Sequence, residues 1–332
     1  MNESRLQQID ALRGIAAVAV LLYHYSMTFP KLYGPGHQAF LAAPWGFLGL
    51  HLFFLISGFV IFMTLKRTEH ASDFLVSRFS RLYPSYWAAL LLTSAGLAVL
   101  GLPKLELGWR YTLLNALMFQ RLLHVPNVDG SYWTLTVELL FYGWALVAFA
   151  LGWLGRLHWA LFAALCLRLA DQTHALPLPP MVSTALILPF VAWFACGIAV
   201  YGLVRENLRV RDFSLLAAAT LVLGICDGLQ LALAAPVLSA LLYAAGTGRL
   251  PWLTWRPLLW LGRISCPLYL LHQYLGYALL LRLEAVGVPI DAAIPLVLVL
   301  MLAAAHAVHR AVEQPAMDWI RQRWRQRRAS VS

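Results

Sequence analysis

The sequence predicts an all-α, polytopic membrane bundle of about ten transmembrane helices with both termini cytoplasmic. Three observations predict it. Hydrophobic residues make up 61% of the 332 and charged residues only 12%, roughly half the charged share of a soluble domain. The apolar residues gather into runs long enough to cross a hydrocarbon core ~30 Å thick, which needs ~20 of them per helix. The basic residues fall mostly in short segments between those runs, as membrane topology requires. The net charge of +10 is therefore read as topology, and nucleic acid is not an expected partner.

The runs lie near 10–29, 46–65, 84–102, 133–152, 157–172, 182–204, 213–228, 231–248, 257–281 and 291–311. The fifth and seventh are short. The longest link, Leu102 to Tyr132, is long enough to fold over one face. With the N-terminus inside, only Lys31, Lys104, Arg110, Arg121, Arg168 and Arg282 fall outside; the other nineteen of the 25 Lys and Arg residues fall inside. An even number of spans preserves that asymmetry. Arg13 and His24 interrupt the first run and no small-residue cleavage site follows, so it reads as a retained span rather than a signal peptide. The chain thus divides into a ten-span membrane domain, residues 1–315, and a basic cytoplasmic tail, residues 316–332. The tail's "RQRWRQRR" suits lipid headgroups. Cys166, Cys196, Cys226 and Cys266 lie in or beside apolar runs without CxxC spacing and read as small buried hydrophobes.

The first run, "DALRGIAAVAVLLYHY", carries the chemical question. Arg13 and His24 are eleven residues apart, close to three helical turns, so they share a face and stand ~16 Å apart along the axis. Arg13 falls at the cytoplasmic headgroups and His24 well inside the bilayer. An ionisable group at that depth faces a bundle interior or a watery cavity and marks a functional site by default. His24 is either a structural histidine bonded to a neighbouring helix or a neutral imidazole able to act as general base or nucleophile.

Other polar residues stand out of place. Arg78 and Arg81, three apart in "SRFSRLYPSYW", share a helix face. They serve as plain topology charges or, with Arg13 at the same cytoplasmic level, as forks that grip a polyphosphate. In "GSYWTLTVELLFYGW", Trp133 suits an interfacial aromatic belt. Glu138 has no topological use, is costly there unless paired or protonated, and shares a face with Tyr142 that we place toward His24. Ser265, Tyr269 and His272 form one polar stripe in the ninth run, a pattern that helix–helix hydrogen bonding also produces. His306, His309 and Glu313 lie roughly on one face, but further metal ligands are not evident and no metal is expected; Glu313 is expected to pair with Arg310. Ser57 and Gly58 in "LFFLISGFVIF" permit close helix approach.

These residues together resemble the acyltransferase-3 family of ten-span membrane acyltransferases. "IDALRGIAAVAVLLYH", "FFLISGF", "RFSRLYP", "WTLTVELLFY", "SCPLYLLHQ" and "EQP" are similar to its motifs, in the same order, from Ile9 to Pro315. The resemblance implies an O-acyltransferase of the bacterial cytoplasmic (inner) membrane. It would move an acyl group from cytosolic acyl-CoA, usually acetyl-CoA, to a hydroxyl of a carbohydrate or glycolipid acceptor. His24 corresponds to the family's essential histidine, Arg13 to its motif partner, and Arg78 and Arg81 to the pair that helps hold the donor. Glu138 is expected to orient the imidazole, and Trp133, Tyr142, Tyr269 and His272 to line the acceptor side. Some members carry a further extracytoplasmic esterase-like domain after the last span. Here the basic tail stands at that place, so direct transfer or hand-over to a separate protein is expected to complete the reaction. Membrane lipid is the remaining expected partner. A transporter or flippase of a lipid-linked or sugar substrate is the competing class, and an accessory scaffold a third. Internal repeats and broken helices are often seen in transporters, and neither is evident in the sequence.

Overall fold

The computed structural model describes residues 3–103, 108–205 and 210–330; Lys104 and Arg209, counted above, lie outside them. Among the described residues every regular element is helical. In chain order these are α1 (Glu3–Tyr23), α2 (Phe29–Tyr33), α3 (Leu48–Leu65), α4 (Ala71–Leu100), α5 (Trp109–Asn115), α6 (Trp133–Ala150), α7 (Leu157–Gln172) and α8 (Pro180–Ala185). There follow α9 (Val191–Arg205), α10 (Val210–Cys226), α11 (Leu229–Thr247), α12 (Arg256–Leu271), α13 (Tyr274–Ala285), α14 (Ile290–Val308) and α15 (Gln314–Ala329).

Six stretches among the described residues are long and apolar enough to cross a membrane: Leu6–Tyr33, Pro44–Leu65, Ala71–Leu100, Gly130–Ala150, Leu229–Thr247 and Ile290–Arg328. The α12–α13 pair makes a seventh if counted as one span, bent by 75° at His272–Gln273. That break is invisible in the hydropathy of the ninth run. The remaining three expected spans correspond to α7, α9 and α10, of 16, 15 and 17 residues. At 1.5 Å per residue such helices reach roughly 23–26 Å, short of a ~30 Å core.

The chain forms two compact units. The first comprises Met1–Arg13, Leu50–Phe74 and Val137–Leu259. Its hub is α9, buried at every residue from Val191 to Leu203, as a helix apolar on all sides must be. Around it pack α7, α10 and α11. The approach of α3 to α9 is set by two glycines: a Cβ on Gly197 would lie 1.9 Å from the Leu55 carbonyl oxygen, and one on Gly58 2.3 Å from that of Phe194. The expected packing role of the small residues in α3 is therefore met by a matching glycine on its partner. A buried His158–Asp212 pair, 2.6 Å, joins α7 to α10.

The second unit comprises Gly14–Gly49, Leu75–Thr136 and Trp260–Ser332. The long link within it is tied down by Asn115, whose side chain donates to the carbonyls of Tyr111 and Pro126 and accepts from the Val128 N–H. The Tyr86 hydroxyl donates to the Asn115 carbonyl, 2.7 Å. Both polar atoms of the fully buried Asn115 side chain find partners, which is what allows it to be buried. Between α14 and α15, Glu313 bonds to His309 at 2.7 Å rather than to Arg310 as expected, since the four-residue spacing puts His309 and Glu313 on one face.

Candidate active site

His24 ends the regular turn of α1 and opens a π-helical turn, His24–Thr28. Such an inserted residue loosens the hydrogen-bond ladder and is frequent at functional sites. His272 sits at the break between α12 and α13. Both belong to the second unit. His24 Nδ1 and His272 Nε2 are 2.8 Å apart, and the rings stack with centroids 5.0 Å apart.

The proton positions follow from one further contact. His272 Nδ1 lies 2.7 Å from the Tyr269 carbonyl oxygen. A carbonyl only accepts, so His272 Nδ1 carries the hydrogen. For neutral imidazoles, His272 Nε2 is then an acceptor, and the hydrogen between the rings resides on His24 Nδ1. His24 Nε2 is left with a lone pair. This is the tautomer logic by which a buried partner holds a catalytic imidazole ready as base, with a second histidine and a backbone carbonyl in place of a carboxylate.

Tyrosines bind the backbone of both histidines, the His24 carbonyl accepting the Phe29 N–H as well. The Tyr25 hydroxyl donates to the His272 carbonyl, 2.7 Å, and the Tyr277 hydroxyl to the His24 carbonyl, 3.4 Å. Gly276 is required beside Tyr25, because a Cβ there would lie 2.0 Å from its hydroxyl oxygen. The start of α13 is held by Asp129. Its carboxylate accepts from the Tyr274 N–H, 2.8 Å, and from the Ser131 N–H and hydroxyl, 2.9 and 2.7 Å. Burial pushes this carboxyl from its ordinary 3.8 up to about 6, the loss of hydration outweighing the three bonds it accepts. Sequence reasoning missed Asp129, Tyr25 and Tyr277. The Asp-x-Ser spacing of a side-chain-capped turn was the legible signal for the first; the tyrosines carry none that separates them from interfacial ones.

In the first unit, Glu138 accepts from the Ser57 hydroxyl at 3.0 Å and from the Tyr142 hydroxyl in a short bond. The expected sharing of a face by Glu138 and Tyr142 is therefore a direct contact. The partner found on His24 Nδ1 is His272, the position at which Glu138 was expected. Tyr269, expected on the acceptor side, lends its carbonyl to His272. Trp133 carries the Arg121 guanidinium 5.5 Å above its ring.

Of the expected donor-binding residues, Arg78 and Arg81 lie on α4 in the second unit and Arg13 on α1 in the first. Arg78 Nη2 donates to the Ser77 hydroxyl oxygen, 3.0 Å. Among the described residues no three His, Cys, Asp or Glu side chains gather closely enough to hold a metal ion.

A family model described as an acyltransferase domain matches residues 6–308. The acyltransferase MdmB of Streptomyces mycarofaciens is 27% identical over 145 residues, 42% of this chain and 38% of that protein. The chain thus matches well under half the length of that curated relative. No solved structure matches the chain significantly.

Proposed function

The chain belongs to the acyltransferase-3 family and is an integral membrane acyltransferase, and from that premise we propose its donor, acceptor and chemistry. The donor is cytosolic acyl-CoA, in the first instance acetyl-CoA. The acceptor is a hydroxyl of a polysaccharide, glycolipid or glycosylated metabolite. The polypeptide crosses the bacterial inner membrane ten times with both ends cytosolic, α7, α9 and α10 supplying the short crossings.

The observation that supports this chemistry best is the chain of contacts from the Tyr269 carbonyl through His272 to His24. His24 Nε2 takes the proton of the acceptor hydroxyl as its oxygen bonds to the thioester carbonyl carbon. The C–S bond breaks, and the departing thiolate takes the proton back from the imidazolium. His272 Nε2 accepts from His24 Nδ1–H throughout and binds it more tightly once His24 is charged. Should Nε2 itself attack the thioester, the same lone pair is used and an acyl-imidazole precedes transfer. Arg78 and Arg81, on α4 of the same unit as His24, hold the phosphates of the donor, and Trp133 of that unit serves the acceptor.

Comparative mass spectrometry of surface glycans and glycosylated metabolites, from cells with and without the protein, identifies acyl group and acceptor together. With that acceptor and radiolabelled acetyl-CoA, His24→Ala is expected to insert normally and to transfer no label. Wild-type turnover in that variant would remove the mechanism.

A further inference from the structure

The terminal helix carries a feature that the donor site so far described leaves unused. On α4, Ser77 and Ser80 each receive a guanidinium: Arg78 donates to the Ser77 hydroxyl, 3.0 Å, and Arg321 of α15 donates through Nε to Ser80, 3.3 Å. Ser80 is fully buried, and its hydroxyl is fixed by donation to the Ser77 carbonyl, 3.1 Å. Arg321 is thereby placed beside the Arg78/Arg81 turn, within reach of the charges of Arg81, of Asp318 and of Arg325. The stretches 71–81 and 314–329 together hold seven arginines against two carboxylates, Asp73 and Asp318. A groove of about 290 Å³ lies between Val76 of α4 and Trp319, Ile320, Arg323, Trp324 and Arg327 of α15.

Seven guanidiniums against two carboxylates leave an excess of positive charge that attracts an anion, and guanidiniums match phosphate in planar, forked geometry. Indole faces stack on nucleobases without regard to their identity. We propose that Arg321 is a further phosphate ligand beside Arg78 and Arg81, and that the α4–α15 groove receives the nucleotide end of the acyl-CoA. This rests on the donor assigned above. An anionic lipid headgroup offers the same phosphate chemistry, but the indole-lined groove favours a nucleotide.

The test uses the full chain in phosphatidylcholine nanodiscs, where no anionic headgroup competes. Binding of labelled acetyl-CoA is compared with turnover of S-acetyl-pantetheine, which keeps the thioester arm and lacks every phosphate. Arg321→Gln is expected to weaken acetyl-CoA at least tenfold and to leave pantetheine turnover unchanged; Arg321→Lys recovers part of the loss. If Arg321→Gln folds poorly, Ser80→Ala keeps the charge but frees it, and a two- to fivefold loss is expected. Equal losses with both donors, or unchanged acetyl-CoA binding, overturn the inference. So does a variant that keeps acetyl-CoA affinity but loses stabilisation by phosphatidylglycerol, which would assign the cluster to lipid. Absence of acetyl-CoA binding by the wild type would instead overturn the donor assignment itself.

Discussion

Replacing His272 tests the proton arrangement at its support. His272→Leu removes the acceptor 2.8 Å from His24 Nδ1 while keeping apolar bulk at the helix break. In the ground state that bond joins neutral groups and is worth ~0.5–1.5 kcal/mol; once His24 carries the acceptor's proton it becomes charge-assisted and worth ~1.5–3 kcal/mol. Loss of the charge-assisted bond, offset by the ground-state term lost alongside it, leaves ~1–2.5 kcal/mol on the barrier. At 1.36 kcal/mol per decade this is roughly a 5- to 70-fold fall in kcat. Freed of its partner, His24 also samples the tautomer with hydrogen on Nε2, which cannot accept a proton, and this pushes the loss toward the upper end. The assay is steady-state transfer from labelled acetyl-CoA with donor affinity measured separately. His272→Gln, whose amide oxygen can accept from His24 Nδ1, is expected to recover a large part of the rate. If His272→Leu stays within threefold of wild-type kcat, or its loss resides in donor affinity, the relay is wrong.

Three other outcomes are expected. Removing both guanidiniums in Arg78→Ala/Arg81→Ala should weaken acetyl-CoA about 100-fold or more, at ~1.5–3 kcal/mol per charge-assisted bond, and abolish thermal stabilisation by acetyl-CoA while acceptor binding persists; undiminished stabilisation counts against their role. Asp129 has its folded carboxyl raised from 3.8 to about 6. The folded state therefore binds the proton more tightly, and this stabilising contribution is fully present below about pH 4 and is lost as pH rises through about 6. Up to ~3 kcal/mol is at stake, so the thermal midpoint of wild type should fall across that window and that of Asp129→Asn should fall less. Gly197→Ala should destabilise by ~1–3 kcal/mol or more, since its methyl would meet the Leu55 carbonyl oxygen at 1.9 Å and force α3 from α9; a normal folding yield and midpoint would refute that contact.

The membrane class and the family were legible in the sequence because each depends on residue type and spacing along one helix. Hydropathy separates lipid from water, and an ionisable residue inside a run stands out whatever surrounds it. The pairing of Glu138 with Tyr142 was legible for the same reason, a four-residue helical spacing. Three-dimensional contact decided the rest. His24 and His272 are 248 positions apart, and His272, read as part of a polar stripe and expected to line the acceptor side, became the partner of His24 Nδ1 only when the ninth run broke at that residue. Hydropathy does not register such a break, since it sums apolarity and is blind to direction. Asp129 and Tyr25 acquire their roles from the Tyr274 N–H and the His272 carbonyl at the break, and no one-dimensional pattern announces which carbonyl or N–H will need a partner.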